Sequence, residues 1–209
     1  MLTVGAIFTI FFITLGPLKL IIPFARRTQG LGDSEVRHTA LHAAAIATVV
    51  AIGGSLLGKA MLIAWHVSIG ALVIAAGIIF FIVALRQLLE QYTQEAQPPP
   101  VPATAMAATS AGARAMRLVF PVVLTPYGLA AIIAALAARA ETQRIGVVLG
   151  LVLVIMGLNL LAMLYARRIL FGPVVVVLQM VGAILAVLQS ALAVQFLIAG
   201  MHMLATTPK

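Results

Sequence analysis

Residues 11–24 read FFITLGPLKLIIPF, and residues 120–133 read FPVVLTPYGLAAII. Both are apolar stretches broken by proline, and Pro17 and Pro126 fall 109 positions apart. At the same offset Phe11 pairs with Phe120, Leu15 with Leu124 and Leu20 with Leu129. Far downstream, Val83 to Arg86 (VALR) aligns with Leu192 to Gln195 (LAVQ). Leucine and alanine matches come cheaply in so apolar a chain, but paired prolines in a preserved register do not. Each break opens a set of three apolar runs, at 2–25, 40–64, 67–89, then 116–138, 145–166 and 174–201. Duplicated halves with interrupted helices at matching places are the sequence pattern of a secondary transporter built around a solute site.

Composition points to a bilayer as solvent. The chain is 63% hydrophobic and 9% charged, against about 25% charged in a soluble domain. Its mean hydropathy is +1.18. At 209 residues it has room for about six spans of ~20 residues and no separate soluble domain. The expected fold is therefore all-α: six transmembrane helices as two inverted three-helix repeats, with a proline-broken first helix in each. The first repeat occupies 1–89 and the second 116–209. Between them 90–115, including QPPPVPATAMAATSAGA, reads as a flexible proline-rich linker on the cytoplasmic side. The N-terminal MLTVGAIFTIFF lacks a basic leader and a cleavage site, so it reads as a retained first span. Asp33 or Ser34 is the expected N-cap of the second helix.

Charge sets the orientation. Loops one, three and five carry eight basic residues (Arg26, Arg27, Arg37, Arg86, Arg114, Arg117, Arg167, Arg168). The opposite side carries four, Lys59, Arg139, Arg144 and Lys209. The excess places the odd loops in the cytoplasm and both termini outside. The net charge of +8 is accounted for by these span ends, and no basic stripe accompanies exposed aromatics as nucleic-acid binding would need.

Proline removes an intrahelical hydrogen bond and frees carbonyls one turn upstream. It also suits the first turn of a new helix, so Gly16-Pro17 and Thr125-Pro126 can each end one half-helix and begin another. Such exposed backbone is tolerated at membrane depth only inside protein or beside a wet cavity. Lys19 lies inside a span, two positions after Pro17. Either it serves a site, drawing a substrate carboxylate, or it snorkels to the cytoplasmic headgroups. The five acids, Asp33, Glu35, Glu90, Glu95 and Glu141, all fall in loops, so a proton relay through a membrane carboxylate has no residue to use. Coupling, if any, is left to backbone carbonyls, amides or the hydroxyls of Thr14 and Thr125.

Asn159 sits deep in the fifth span and needs a polar partner. On its other side Gly146, Gly150 and Gly157 share a face suited to close helix contact. Gly54 and Gly58 do the same in the second span. Gln179, Gly182, Ala186, Gln189, Ser190 and Ala193 form a small-and-polar stripe in the sixth. Exposed stripes of this kind leave room for a homodimer. His38 and His42, spaced i,i+4, lack a third ligand at a defined spacing and read as interfacial rather than as a metal site. With no cysteine and no catalytic constellation, no enzyme activity, metal or cofactor is expected.

These segments resemble the MarC family of bacterial inner-membrane proteins, grouped with neutral amino acid transporters in the LysE-type export superfamily. The resemblance rests on TLGPLKLIIPFARRTQGL, FPVVLTPYGLAAII and LAVQFLIAG, and spans nearly the whole chain apart from the linker. The family pattern near the second break is close to P-x-x-x-G-P-x-G-A: Pro121, Pro126 and Gly128 match it, and Thr125 stands where glycine is usual. In the first break relatives carry Asn-Pro or Asp-Pro followed by glycine; here Gly16 precedes Pro17, and Lys19 takes the place near that glycine. The resemblance implies six spans, an inner-membrane location with both termini outside, and transport of a small solute, with small neutral amino acids the leading class. The expected substrate contacts are Gly16, Pro17, Lys19, Thr125, Pro126, Tyr127, Gly128 and Asn159. A lipid-handling or structural membrane protein is the alternative, in which lipids rather than a soluble solute are the partners.

Overall fold

The computed structural model describes residues 3–92, 115–116, 119, 123–138, 142–169 and 173–206. The proline-rich linker at 90–115 lies almost wholly outside these. The principal helices are α1 (Val4–Leu15), α2 (Leu18–Arg27), α3 (Asp33–Ala64), α4 (Ile69–Tyr92), α5 (Pro126–Ala137), α6 (Thr142–Ile169) and α7 (Pro173–Thr206). Among the described residues five spans are long and apolar enough to cross a membrane: Val4–Arg27, Asp33–Ala64, Ile69–Leu89, Ile145–Ile169 and Met180–Thr206. At 12 residues α5 is a sixth apolar helix but only about 18 Å long, too short to cross alone. Large apolar side chains such as Val49, Leu57, Met180 and Ile184 stay exposed around the bundle, as acyl chains require and water would penalise.

The first span is two helices because of Gly16-Pro17. Pro17 has no N–H to return to the Ile13 carbonyl, and Gly16 turns extended (φ −71°, ψ 168°), so α1 stops at Leu15. The Leu20 amide then bonds the Pro17 carbonyl at 2.9 Å and starts α2. Gly16 allows a close approach here: a Cβ would strike the Phe12 carbonyl. Just before the second break the Leu124 amide donates to the Val119 carbonyl at 2.8 Å. Thr125 follows in extended conformation, and Pro126 is the first residue of α5.

The helices pair across the two halves. α4 packs chiefly on α7, α3 on α6, and α1 on both α5 and α6. Between α4 and α7 the backbones nearly touch: a Cβ on Gly70 would lie 2.9 Å from the Gly200 carbonyl, and one on Gly77 3.1 Å from that of Ala193. These pairings make the two helices antiparallel. α3 presents Ala40, Ala43, Ala44, Ala47 and Ala51 as its buried face, small enough to bring α6 close.

Several local expectations are corrected. Gly146, Gly150 and Gly157 have no neighbour among the described residues within 4 Å of where a side chain would begin. α6 instead buries the face carrying Val148, Val152, Ile155 and Asn159, because larger apolar groups and the amide gain more from burial, and α3 supplies the small residues. Gly58 does meet a neighbour, Ile133 of α5, whereas Gly54 and Gly182 meet none. The N-cap of α3 is Gly32 rather than Asp33 or Ser34; its amide donates to the Glu35 carboxylate at 3.3 Å. Asp33 is instead the first helical residue, where its charge suits the positive helix end.

Arg167, in the last turn of α6, ties down the segment after α2. Its guanidinium donates to the Thr28 carbonyl, to the Leu31 carbonyl at 2.9 Å and to Asp33 at 3.3 Å. The loop after the first span and the end of α6 therefore lie on the same side of the bundle, as alternating spans demand.

Candidate functional site

A helix that stops inside a membrane leaves its last four carbonyls without intrahelical partners. At the end of α1 the other elements supply donors. Thr125 Oγ1 donates to the Thr14 carbonyl at 3.1 Å, and Asn159 Nδ2 donates to the Leu15 carbonyl at 2.8 Å. Lys19 Nζ bends back from the first turn of α2 and also donates to the Thr14 carbonyl. Because a carbonyl can only accept, the Leu15 contact fixes which way the Asn159 amide points. Its Oδ1 is buried with no partner among the described residues, in a residue with 0% exposure.

Each break helps build the other. Thr125 Oγ1 accepts from the Gly128 amide at 3.2 Å, capping α5, while its proton goes to α1. One hydroxyl thus serves two backbone ends. Gly128 lets α5 come this near: a Cβ there would lie 2.7 Å from Thr125 Oγ1 and 2.8 Å from Leu15 Cγ.

Lys19 does not snorkel. Its Nζ lies 3.4 Å from the Tyr127 hydroxyl, donating to it, and 5.2 Å from the centre of that ring. A cation beside the N-terminus of its own helix is unfavourable, whereas the negative C-terminal end of α1 attracts it. Tyr127 is buried and stacks on Phe80 with centroids 4.4 Å apart; Phe80 in turn lies 6.1 Å from Phe196.

A family model described as MarC family integral membrane protein matches residues 1–205. The chain belongs to the MarC family. It is accordingly a multi-pass integral membrane protein, in keeping with its apolar helices. No curated protein and no solved structure matches it. In this MarC protein all eight residues expected at the site gather at one crossing of α1, α2, α5 and α6: Gly16, Pro17 and Lys19 from the first break, Thr125, Pro126, Tyr127 and Gly128 from the second, and Asn159.

A cavity of about 320 Å³ lies on the N-terminal side of α1, walled also by α4, α5 and α7. Its lining includes Ile10, Phe11, Val73, Ala134, Phe196 and Met203, and among its lining residues only Gln195 is polar. Phe196 lines the cavity and also lies against Phe80, so ring contacts run from the chamber wall through Phe80 to Tyr127. Sequence reading missed Phe80 and Phe196, since single aromatics in apolar helices carry no spacing signal. It also counted Arg167 for orientation alone.

The described residues bring no three metal-binding side chains together. His42 Nδ1 donates to the His38 carbonyl of its own helix at 2.8 Å, and both rings are exposed. Gln189 is buried, its Oε1 without a partner among the described residues, while the Gln179 side chain lies outside the described residues.

Proposed function

We propose that this MarC protein is a carrier for a small solute, with small neutral amino acids the leading class, and not an enzyme. The observation that carries the reading is the meeting of the two broken helices. Lys19, beside the Tyr127 hydroxyl, and the Asn159 amide, whose Oδ1 has no partner among the described residues, bring a cation, a hydroxyl and an acceptor to successive carbonyls at the end of α1. Buried groups of this kind are expensive and are characteristic of solute pathways. A zwitterion has complementary groups: its carboxylate suits Lys19 and Tyr127, and its ammonium suits the Asn159 acceptor.

The inverted-repeat architecture belongs to the same proposal. At the 109-residue offset Gly77 corresponds to Ala186 and Ala84 to Ala193. A twofold relation turns the Gly77–Ala193 contact into one between Ala84 and Ala186, and both of those residues are buried. Pairing of α3 with α6 and α4 with α7 supports the same relation. The likeness to the MarC family supports a bacterial inner-membrane location, and the charge count supports both termini on the periplasmic side.

The test is uptake of labelled alanine or glycine by liposomes holding the purified protein, with Pro126→Ala and Asn159→Leu alongside. Saturable flux that both variants slow supports the carrier. Flux no greater than in empty vesicles across a panel of amino acids removes that substrate class. The apolar chamber favours a second reading, lipid handling, because a lining this apolar suits an acyl chain. Ala134→Trp would fill it. Loss of lipid that otherwise co-purifies at fixed stoichiometry, with no solute flux in either protein, would favour that reading.

A further inference from the structure

The apolar cavity has the dimensions of a single hydrocarbon chain. α1 packs on α5, α5 on α4 and α4 on α7, so α1 and α7 end that row and stand across the cavity from each other. One end of the cavity is marked by Ile69, Ala138 and Met203, close to the start of α4 and the ends of α5 and α7. This is the membrane face opposite Arg167, and Trp65 stands exposed there, as interfacial aromatics do. The other end is stopped beside the second break, where Ile13, Phe80, Tyr127 and Phe196 pack into one cluster. Between these ends Ala130 to Ala138 rises about 12 Å along α5, and Leu192 to Met203 about 16 Å along α7. Half of a ~30 Å hydrocarbon core is about 15 Å, so the cavity is one leaflet deep. Its 320 Å³ spread over that depth leaves a cross-section of about 21 Å². That is the girth of one polymethylene chain. An α-helix about 10 Å across would need about 80 Å², so a helix from a second copy does not fit.

We infer that this cavity holds one acyl chain of a phospholipid from the leaflet opposite the Arg167 face, seated between α1 and α7 as a fixed part of the fold. Left empty, a space of this size forfeits dispersion contacts along every wall, and a chain restores them. The alanines of α5 leave the room: Ala130, Ala134 and Ala138 line the cavity with methyl groups where larger side chains would fill it. Recognition is of the tail. Gln195 is the one polar residue in the lining, so the headgroup stays outside, at the level of Trp65. The chain is resident rather than cargo. The inference therefore needs neither the carrier reading nor lipid handling as the function, and lipid binding rather than flux is the readout.

Full-length protein is purified in a mild detergent, and bound phospholipid is counted by native mass spectrometry and by phosphorus assay. Wild type is expected to keep one phospholipid per chain. Ala134→Trp puts an indole midway along the cavity and should lower retention about tenfold or more, because the chain no longer has room. Leu188→Trp, at an exposed position of α7, should leave retention unchanged. Ala131→Leu shortens the cavity at its inner end. When phosphatidylglycerols of graded chain length compete for the delipidated protein, this variant should prefer shorter chains than wild type does. Wild type that keeps no phospholipid, or Ala134→Trp that keeps as much, overturns the inference. So does a bound lipid without phosphorus, which would be a free fatty acid, and so does a wild-type dimer that Ala134→Trp makes monomeric. If Ala134→Trp does not fold, Ala131→Leu decides, and an unchanged chain-length preference refutes the inference. Failure of the carrier reading shows in solute flux alone and moves none of these readouts.

Discussion

The double duty of the Thr125 hydroxyl can be separated into its parts by three substitutions. Thr125→Val keeps the shape and removes both bonds, the cap on Gly128 N at 3.2 Å and the donation to Thr14 O at 3.1 Å. Loss of an N-cap costs about 1 kcal/mol. Loss of a hydrogen bond between membrane helices costs roughly 0.6 to 1.7 kcal/mol. Together the expected destabilisation is about 2 kcal/mol, or roughly thirtyfold in the unfolding equilibrium. Thr125→Gly isolates the second bond, because glycine at an N-cap is only a few tenths of a kcal/mol worse than threonine. It should cost about half as much as Thr125→Val. Thr125→Ser retains both bonds and should stay within about 0.5 kcal/mol of wild type. Reversible unfolding in mixed detergent micelles, followed by circular dichroism, orders the three. If valine and serine unfold alike, the hydroxyl contributes neither bond and the account of the crossing is wrong. If glycine is as damaging as valine, the cap adds nothing and the inter-helix bond carries the whole effect.

Other consequences follow from single contacts. Arg167→Ala should destabilise the protein by about 2 kcal/mol, because two loop carbonyls lose a charged donor; Asp33→Ala should change stability by less than about 0.5 kcal/mol, since that carboxylate is 98% exposed. Thermal unfolding of the two variants distinguishes carbonyl capping from a salt bridge, and equal losses would refute the assignment. Gly16→Ala places a Cβ on the Phe12 carbonyl and should displace the end of α1, lowering the yield of folded protein in fluorescence-detected gel filtration. Gly200→Leu should separate α4 from α7 and cost more than about 3 kcal/mol, whereas Gly182→Leu, facing open space, should be tolerated in the same assay.

The breaks were legible because proline and glycine act on the backbone directly. Pro17 and Pro126 end or begin helices whatever surrounds them, and a repeated register is unlikely to arise by composition. Lys19 was legible as an anomaly, a charge inside a span, but its direction was not. Snorkelling and turning inward differ only in whether an acceptor lies within reach, and the acceptor is a backbone carbonyl with no residue-type signature. The glycines of α6 show the opposite failure. Gly146, Gly150 and Gly157 match a packing pattern, yet helix contact depends on which face a neighbour presents, and α3 had already supplied small residues through its alanines. Asn159 on the far face was the better guide, because a buried amide must find a partner and glycine need not. Nothing in the pattern marked Phe80 or Phe196, whose importance comes only from lying beside Tyr127.

The crossing is nearly closed to hydrogen-bond exchange as it stands. Thr14 O has two donors, Leu15 O has one, and Thr125 Oγ1 both gives and accepts. On the carrier reading proposed above, a solute arriving there cannot simply add its groups; its carboxylate must draw Lys19 Nζ off the Thr14 carbonyl, leaving that carbonyl with Thr125 alone. Thr125 is therefore what makes the exchange affordable, since it keeps a buried acceptor satisfied while the ammonium is away. Lys19 and Thr125 thus form a matched pair, and Thr125→Gly should impair the carrier more severely with Lys19 present than in a Lys19→Gln background. A double-mutant cycle on solute flux measures that difference, and additive effects would mean the two side chains act independently.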